Sequence, residues 1–441
     1  MHVNRQHSHA PAPRVVITGI GAITNLGQTA KATWSGMREG RSGISHFKGA
    51  EFDKFAGKWA VKIAGQIRDW SPGDWIDVRE ARRLDRFALL GLGAAVEAVK
   101  SSGVNFAGED PERCGVVTGS GVGGIITIEE GTYQMLERGP DRLSPFTVPR
   151  LMVNACTGNI SIMYGLQGPA TAHATACASS GHAISDAMDM LRSGICDVMI
   201  AGGAEAAVSP LCVGAFMTMK ALSTRNDEPT RASRPFDADR DGFVLAEGAA
   251  MMVLETEEHA RKRGATILAE LVGHGNSSDA THITAPDAAG RGAARSMRWA
   301  LQDAGLNAGD IEYVNAHGTS TPLGDKAEVE AVTSVFGDHA LKSRGGRLMM
   351  SSTKSMHGHG LGASGAIEMV ACVHAVKDGV IAPTINLETP SPGRDAEGRA
   401  LPAFDIDLVP QHARERRVKY AMNNTFGFGG HNVTLIVGRY E

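Results

Sequence analysis

A single cysteine stands among alanines and serines in the segment ATACASSGHAIS, residues 174–185. The apolar residues that follow recur at helical spacing and predict an amphipathic helix over residues 179–193: Ile184, Ala187, Met188 and Leu191. Cys177 therefore falls at a strand-to-helix turn, where free N–H groups and the helix dipole favour a thiolate and lower the pKa of the thiol. These N–H groups can also hold an oxyanion. The alternative is a buried structural cysteine, and spacing alone leaves both interpretations open.

Two other segments place histidines directly after predicted strands. VNAHGTSTPLGD contains His317, and SSTKSMHGHGLGASGAIE contains His357 and His359. Ligands of α/β folds bind at the carboxyl ends of strands, so three strand–loop–helix junctions of one design predict a shared site. Metal binding by the two histidines of HGH together with Cys177 is a weaker alternative, because zinc sites usually bring more closely spaced ligands.

The helix predicted over residues 363–376 is apolar nearly all round, which indicates burial. Glu368 falls inside this helix, and a buried carboxylate needs a partner. Lys354, on the loop before the helix, is the candidate partner. The alternative is that Glu368 reaches solvent on a narrow polar stripe.

Apolar strands alternate with helical segments along the chain, which predicts an α/β protein with largely parallel sheets. The strands are predicted over residues 14–23, 114–121, 197–205, 249–255, 311–318, 348–355, 420–427 and 432–438. Further helices are predicted over residues 87–101, 293–304 and 325–336. A change of composition at EEHARKRGA predicts a boundary between two halves, residues 14–264 and 265–441, after a disordered tail over residues 1–13.

Composition restricts the class of protein. The chain has 441 residues, of which 42% are hydrophobic, and a net charge of −4 without a basic stripe, which argues against nucleic acid as a partner. No run of about 18 apolar residues is present, so no membrane span is predicted. The six cysteines lack CxxC spacing, which indicates reduced thiols in a cytoplasmic protein. The first 13 residues have no apolar core, so they do not predict a secretory signal.

Two glycine-rich segments invite other interpretations. GSGVGG, residues 119–124, fits the dinucleotide-binding pattern, but it lies more than 100 residues into the chain and lacks an acidic residue at the expected distance. TFGFGGHN, residues 425–432, is a turn between two strands that can bring N–H groups and Phe428 to a ligand. The alternative for this second segment is a tight hairpin with glycines at positive φ.

Together these segments resemble the β-ketoacyl-acyl carrier protein synthases of the elongating type II class, from about Arg14 to Arg439. The matching motifs are TACAS, VNAHGTSTPLGD, SSTKSMHGHGLGASGAIE and FGFGGHN, joined by ALSTRNDEP and SRPFDADRDGFVLAEGA. The resemblance implies a thiolase-type fold, in which two similar halves stack as five layers, α-β-α-β-α. It also implies a homodimer whose partner chain helps to close the acyl pocket.

The resemblance also assigns roles to residues. Cys177 matches the acylated nucleophile, His317 and His359 match the two catalytic histidines, and Lys354 and Glu368 match the pair that supports them. Thr319, Thr321 and Thr284 match positions that bind the phosphopantetheine arm. Val122 and Phe216 match positions of the acyl pocket. Phe428 matches the gate, and with Cys177 it matches the oxyanion hole.

The implied reaction is a decarboxylative Claisen condensation in fatty acid elongation. An acyl group passes from acyl carrier protein to Cys177 and is then joined to a malonyl unit on a second carrier protein, with loss of CO2. The implied reaction needs no metal, nucleotide or redox cofactor, because the phosphopantetheine arm arrives on the carrier protein and decarboxylation supplies the driving force.

Other functions stay open at this point. A ketosynthase subunit of a polyketide pathway would use the same chemistry, and a thiolase would use coenzyme A thioesters but typically carries a second cysteine near the C-terminus, which NNTFGFGGHN lacks. An NAD-dependent dehydrogenase would depend on GSGVGG alone. Three residues depart from the usual family pattern near the expected site: His357 and His431 stand where threonine is usual, and Gly360 stands where leucine is usual.

Overall fold

The computed structural model describes residues 12–74 and 76–441. Most of the predicted tail over residues 1–13 therefore lies outside the described residues. The strands are β1 Val15–Thr24, β2 Ser45–His46, β3 Ile63–Ala64, β4 Cys114–Gly119, β5 Ala170–His173, β6 Val198–Glu205, β7 Gly248–Thr256, β8 Ala269–Ser278, β9 Tyr313–Asn315, β10 Met349–Ser351, β11 Val380–Ile381, β12 Arg414–Glu415, β13 Tyr420–Gly427 and β14 His431–Gly438.

The α-helices follow the predicted alternation with the strands. They are α1 Ala30–Arg38, α2 Ala50–Asp53, α3 Val78–Ala81, α4 Arg86–Ser102, α5 Ile125–Arg138, α6 Thr147–Leu151, α7 Ala155–Tyr164, α8 Ser179–Arg192, α9 Pro210–Thr218, α10 Glu257–Lys262, α11 Arg291–Ala304, α12 Pro322–Phe336, α13 Lys354–His357 and α14 Ser364–Asp378. The helices predicted from periodicity begin and end within about three residues of α4, α8, α11, α12 and α14, which is the usual uncertainty of helix ends.

One long mixed sheet consists of two halves with the same strand pattern. The order β5-β4-β6-β7-β1 in the first half is repeated as β10-β9-β13-β14-β8 in the second. In each half the first three strands are parallel and the last two run antiparallel to their neighbours. The halves join where residues 15–17 of β1 pair with residues 269–271 of β8. This repeat matches the two similar halves that the resemblance implies. Five of the nine pairings between neighbouring strands of this sheet are antiparallel, so the prediction of largely parallel sheets is wrong.

The helices form three layers around the two half-sheets. Helices α8 and α14 contact each other and strands of both halves, so they form the central layer. Helices α4 and α7 pack on the outer face of the first half, and α11 and α12 pack on the outer face of the second. The resulting α-β-α-β-α stack explains why α14 is apolar nearly all round, because it faces a sheet on two sides.

The connection between the halves runs from β7 through α10 to β8, and the predicted boundary between residues 264 and 265 falls inside it. None of the helices in the described part of the chain combines the length and the apolar composition needed to cross a membrane.

Candidate active site

Cys177 lies in a strained turn between a strand and a helix. Strand β5 ends at His173, and one 3-10 turn over Ala176–Ala178 leads directly into α8. Ala176 has a φ of 50°, a left-handed conformation that costs energy for any residue other than glycine. Cys177 is buried, with 7% of its surface exposed, and lines a cavity. Strain of this kind is retained where the turn must present a side chain in one direction.

The cavity brings together side chains that are distant in sequence. It has a volume of about 590 Å³, and its lining comes from the ends of strands in both halves. The residues expected at the site that line it are Val122, Cys177, Phe216, Thr284, His317, Thr319, Thr321, His359 and Phe428. Lys354 and Glu368 are fully buried behind this lining.

The nucleophile candidate and one histidine are in direct contact. The Nε2 atom of His359 lies 3.0 Å from the Sγ atom of Cys177, and its Nδ1 atom lies 3.0 Å from the hydroxyl of Ser364. The ring of His317 stands perpendicular to that of His359, with 5.4 Å between the ring centroids. One sulfur and two imidazoles therefore share one end of the cavity.

The structure corrects the predicted ionisation of the thiol. Burial raises the pKa of Cys177 to about 12, and the Lys354 ammonium and the N–H groups of Phe428 and Cys177 lower it only in part. The prediction that the helix end lowers this pKa is therefore wrong, because the loss of hydration outweighs the peptide dipoles. Burial, with the charge of Lys354, also lowers the pKa of His359 well below its usual value. The resting pair is thus a neutral thiol beside a neutral imidazole, and attack by sulfur requires transfer of its proton to Nε2.

Glu328, a residue that the sequence did not single out, fixes the backbone of the His317 loop. Its carboxylate accepts the N–H of His317 at 2.8 Å and that of Gly318 at 2.7 Å. Burial raises the pKa of Glu328 to about 7, and the two N–H bonds oppose that rise. The Nδ1 atom of His317 has no hydrogen-bond partner among the described residues, so the position of this imidazole is set through its backbone.

Helix α12 contained a signal for this carboxylate. Asp325, Glu328, Val332 and Phe336 follow one another at intervals of three and four residues, so two acids share a stripe with two apolar side chains. Acids on an apolar stripe indicate buried, hydrogen-bonded carboxylates. Both are buried in the structure, and Asp325 accepts N–H bonds from Phe236 and Ser320.

Lys354 and Glu368 form a buried ion pair behind the histidines. Lys354 is 1% exposed and Glu368 is fully inaccessible, so Glu368 does not reach solvent. Burial raises the pKa of Glu368, and the lysine opposes that rise. The positive charge of Lys354 in turn contributes to the lowered pKa of both His317 and His359. The pair therefore helps to keep the two imidazoles neutral.

Substitution of Lys354 by methionine should lower the free energy of unfolding by about 3–5 kcal/mol, because it leaves Glu368 buried without a charged partner. The double variant Lys354→Met/Glu368→Met should recover most of this loss, since apolar side chains of similar volume replace a buried pair at little cost. Urea unfolding of both variants measures the difference. Lys326→Met is the control, because its ion pair with Glu330 is exposed and should contribute less than about 1 kcal/mol. A single variant as stable as the wild type would contradict this account.

The glycine segment GSGVGG binds a carboxylate of the same chain. The side chain of Glu205 accepts the N–H groups of Gly121 at 2.6 Å and Val122 at 3.2 Å, together with that of Gly362 at 2.9 Å from the other half. The N–H groups that would hold a phosphate are therefore occupied by an acidic side chain. This arrangement contradicts the dinucleotide-binding interpretation of the segment. Because Glu205 also accepts the N–H of Gly362, it connects the glycine segment to the second half of the chain.

The segment TFGFGGHN forms the turn between β13 and β14. Gly429 and Gly430 have φ values of 88° and 75°, as expected for a tight hairpin. Gly427 allows this hairpin to approach the nucleophile turn, because a Cβ atom there would lie 3.1 Å from the backbone nitrogen of Cys177. This approach brings the N–H of Phe428 to the sulfur.

The three departures from the family pattern lie outside the described cavity lining. His357 is buried and bonds to the hydroxyl of Thr353 at 3.1 Å. Gly360 has room for a side chain, since a Cβ atom would lie 3.6 Å from its nearest neighbour, Ile367. His431 lies against His182, with 6.4 Å between the ring centroids. Of the residues that the structure describes, no three His, Cys, Asp or Glu side chains are grouped to hold a metal ion, so HGH and Cys177 do not form the alternative metal site.

Comparison with known proteins gives consistent matches over nearly the whole chain. Residues 12–260 match the model of the β-ketoacyl synthase N-terminal domain, and residues 268–388 match that of the C-terminal domain. The 3-oxoacyl-[acyl-carrier-protein] synthase 2 of Vibrio harveyi is 45% identical over 96% of this chain and 98% of its own length. The protein of the same name from Staphylococcus aureus strain N315 is 42% identical over 97% of this chain and 99% of its own length.

Solved structures agree with this assignment. A β-ketoacyl synthase from Burkholderia phymatum superimposes with a TM-score of 0.86 at 37% identity and covers 97% of this chain and 100% of its own. The ishigamide ketosynthase/chain length factor superimposes with a TM-score of 0.87 at 33% identity, over 98% of this chain and 100% of its own. A solved complex of a type II polyketide ketosynthase with its acyl-carrier protein contains a chain that superimposes with a TM-score of 0.86 at 29% identity. The match covers 98% of this chain and 100% of that chain. The fold, the grouping of Cys177 with two histidines and these similarities together show that the chain belongs to the β-ketoacyl synthase family.

Proposed function

We propose that the protein condenses an acyl group held on Cys177 with malonyl-acyl carrier protein, giving 3-oxoacyl-acyl carrier protein and CO2 in fatty acid chain elongation. The observation that carries this proposal is the contact of 3.0 Å between the Cys177 sulfur and His359 Nε2, beside His317 in one cavity. Relatives that match nearly the full chain carry the name 3-oxoacyl-[acyl-carrier-protein] synthase 2, which supports this choice of reaction.

In the first half-reaction, Cys177 takes the acyl group from its carrier. The thiol proton passes to His359 Nε2, and the sulfur attacks the thioester carbonyl carbon. The N–H groups of Cys177 and Phe428 stabilise the oxyanion of the tetrahedral intermediate. Its collapse expels the carrier thiolate, which takes the proton from His359. The products are an acyl-enzyme and a free carrier thiol.

In the second half-reaction, malonyl-acyl carrier protein loses CO2, and negative charge develops on its thioester oxygen. His317 and His359 donate N–H bonds to this oxygen, a role that requires neutral imidazoles with hydrogen on Nε2. The enolate carbon attacks the acyl carbonyl on Cys177 and releases the cysteine thiolate, which takes one proton from solvent water. Lys354 and Glu368 act behind the histidines, where the lysine charge opposes their protonation.

The remaining lining residues suit the two parts of the substrate. Thr319 and Thr321, whose hydroxyls lie 3.1 Å apart, and Thr284 offer hydrogen bonds to the phosphopantetheine arm. Val122 and Phe216 provide apolar surface for the acyl tail. Phe428 lies beside Phe216, with 6.5 Å between ring centroids, and serves as the gate between these two parts.

The partner in both half-reactions is an acyl carrier protein, which supplies the phosphopantetheine arm. A solved complex of a related polyketide ketosynthase with its acyl-carrier protein supports this type of partner. The proposed reaction uses no further cofactor, because loss of CO2 drives carbon–carbon bond formation. Six free, buried thiols suit a reducing cytoplasmic location.

The protein is also proposed to act as a homodimer. Strand β5, at the end of the long sheet, is half-exposed and pairs with β4 on one side. Large exposed apolar side chains lie on helices α5, α6 and α7 and in the loop after α6, and they include Ile128, Leu136, Val148, Met152 and Ile162. Burial of such an edge and such side chains is a common reason for association. Light scattering during gel filtration should give twice the mass of one chain, whereas the mass of one chain at micromolar concentration would contradict the dimer.

Intact mass spectrometry tests the function directly. The protein is incubated with acyl-carrier proteins of graded chain length and then with malonyl-acyl carrier protein. Acylation of Cys177 followed by release of a 3-oxoacyl thioester two carbons longer supports the proposal. Acylation by coenzyme A thioesters alone would overturn it. The similarity to a type II polyketide ketosynthase favours a polyketide pathway as second candidate, and repeated extension without reduction would identify it.

A further inference from the structure

Ser364 lies inside the motif SSTKSMHGHGLGASGAIE, but neither the resemblance nor the proposed function assigns it a role. It is the first residue of α14, is fully buried, and its hydroxyl lies 3.0 Å from the Nδ1 atom of His359. The backbone of His359 is fixed independently, because its N–H donates to the carbonyl of Val244 and its own carbonyl accepts the N–H of Ala246. The serine therefore acts on the imidazole ring itself.

The duplicated fold provides an internal comparison. Ser179 begins α8 in the first half, after a 3-10 turn, as Ser364 begins α14 in the second. The hydroxyl of Ser179 is used within its own turn, where it accepts the N–H of Thr175 and donates to the carbonyl of Ala176. Ser364 does not repeat these bonds, and among the described residues its hydroxyl is bonded to His359. The same position thus serves the local turn in one half and a catalytic imidazole in the other.

The two half-reactions make opposite demands on this imidazole. To accept the thiol proton, Nε2 must have a free lone pair, so the ring hydrogen is on Nδ1 and needs an acceptor. To donate to the enolate oxygen, Nε2 must carry the hydrogen, so Nδ1 has a free lone pair and needs a donor. A hydroxyl can accept or donate, whereas a backbone N–H or carbonyl can do only one of these.

We propose that Ser364 is a positioning residue whose hydroxyl reverses its hydrogen bond with His359 Nδ1 between the two half-reactions. During acylation it accepts the Nδ1 hydrogen, and during condensation it donates to the Nδ1 lone pair. Between the two stages, water is the co-reactant: it supplies one proton to Nε2 and takes up the one that leaves Nδ1, so the ring stays neutral overall. His317 has no such partner at its Nδ1 atom among the described residues. Proton transfer therefore belongs to His359, and His317 serves as an N–H donor to the enolate. This inference rests on the proposed function.

The loss of the hydroxyl should affect the two half-reactions unequally. In a Ser364→Ala variant, the Nδ1 hydrogen of His359 has no acceptor at the stage when the ring becomes positively charged, and a buried unpaired donor is costly. We expect single-turnover acylation of Cys177 to slow about 10- to 100-fold. Condensation by enzyme that has already been acylated should slow less than about 3-fold, because Nδ1 then loses only a donor to a neutral ring. The KM for acyl-carrier protein should stay unchanged, since Ser364 is not among the cavity-lining residues.

Two further variants separate positioning from packing. Ser364→Thr keeps the hydroxyl and should restore acylation to within about 3-fold of the wild type. Ser296→Ala removes another fully buried helical serine, whose hydroxyl bonds to Thr434 in the outer layer, and should leave both half-reactions unchanged. Urea unfolding of all three variants identifies any that are not folded.

The measurements have distinct outcomes. A slower acylation in Ser364→Ala with near-normal condensation and rescue by threonine supports the reversible bond. Equal loss in both half-reactions, a raised KM or no loss at all would overturn it. A wild-type protein that neither acylates nor condenses would instead refute the proposed function, so the two failures are distinguishable.

Discussion

A Cys177→Ala variant should form no acyl-enzyme and should lose condensation by a factor on the order of 10⁴ to 10⁶, the loss that follows removal of a covalent nucleophile. The reason is geometric as well as chemical. Cys177 lines the same cavity as the two histidines, and its sulfur is in contact with His359 Nε2. An alanine methyl group in this turn has no electron pair with which to attack a thioester. Intact mass spectrometry after incubation with acyl-carrier protein measures the acyl adduct, and product analysis measures condensation.

Cys212→Ala provides the matched control for this experiment. Cys212 has the same exposure of 7% and belongs to the same buried apolar cluster as Cys177. Burial raises its pKa to about 11, so its thiol is also protonated at neutral pH. Cys212 is absent from the described lining of the cavity and contacts no imidazole in the described hydrogen bonds. Its variant should therefore be acylated at the wild-type rate. An acyl adduct in Cys177→Ala, or its loss in Cys212→Ala, would refute the assignment of the nucleophile.

The grouping of Cys177, His317 and His359 could be predicted from the sequence, because each of them follows the end of a strand. Three segments carry Cys177, His317 or His359 just after a strand, and parallel strands place such ends at one edge of a sheet. The sequence therefore indicated that Cys177, His317 and His359 share a site, and the structure places all three along one cavity. The duplicated topology strengthens this agreement, because it brings corresponding strand ends of the two halves to the same cavity.

The ionisation of the site was not predictable from local pattern. The helix N-terminus suggested a lowered pKa for the Cys177 thiol. Burial raises this pKa and has the larger effect, and the residues that bury the thiol are far away in sequence. Glu328 and Glu205 were missed for the same reason, since their partners are backbone N–H groups of loops that only the folded chain brings near. The acidic stripe of α12 was the one local signal for the first of them.

The predicted strand ranges omit the two-residue strands β2, β3, β11 and β12 and two strands of the long sheet, β5 and β8. The strand before Cys177 was predicted only through the turn that follows it, without bounds. Strand β5 is a short edge strand of small residues and one histidine, so it has neither an apolar run nor clear alternation. Strand β8 alternates, but glycine occupies two of its four buried positions, which weakens the apolar pattern. Both are held by pairing with neighbouring strands of the sheet, which is information that a single segment does not contain.

Substitution of the histidines should separate the two half-reactions. His317→Ala removes one of two N–H donors to the developing enolate and should slow condensation about 10²- to 10³-fold, the cost of losing one oxyanion donor. Acylation of Cys177 should change less than about 3-fold, because the sulfur contacts His359 and His317 is not its hydrogen-bond partner in the described structure. His359→Ala should slow condensation to the same degree and should also slow acylation, since it removes the proton acceptor.

Single-turnover measurements make this separation visible. Acylation is followed by intact mass after rapid quenching, and condensation is followed by product formation from enzyme that was acylated beforehand. His357→Thr is the control, because His357 lies two residues from His359, is buried, and is not among the described lining residues. Threonine is the residue usual at this position in the family pattern, so this variant should retain both half-reactions. If His317→Ala lost acylation as severely as condensation, the division of labour between the two imidazoles would be wrong. The contact of His359 with both the sulfur and Ser364 would then have to serve orientation of the ring rather than transfer of a proton.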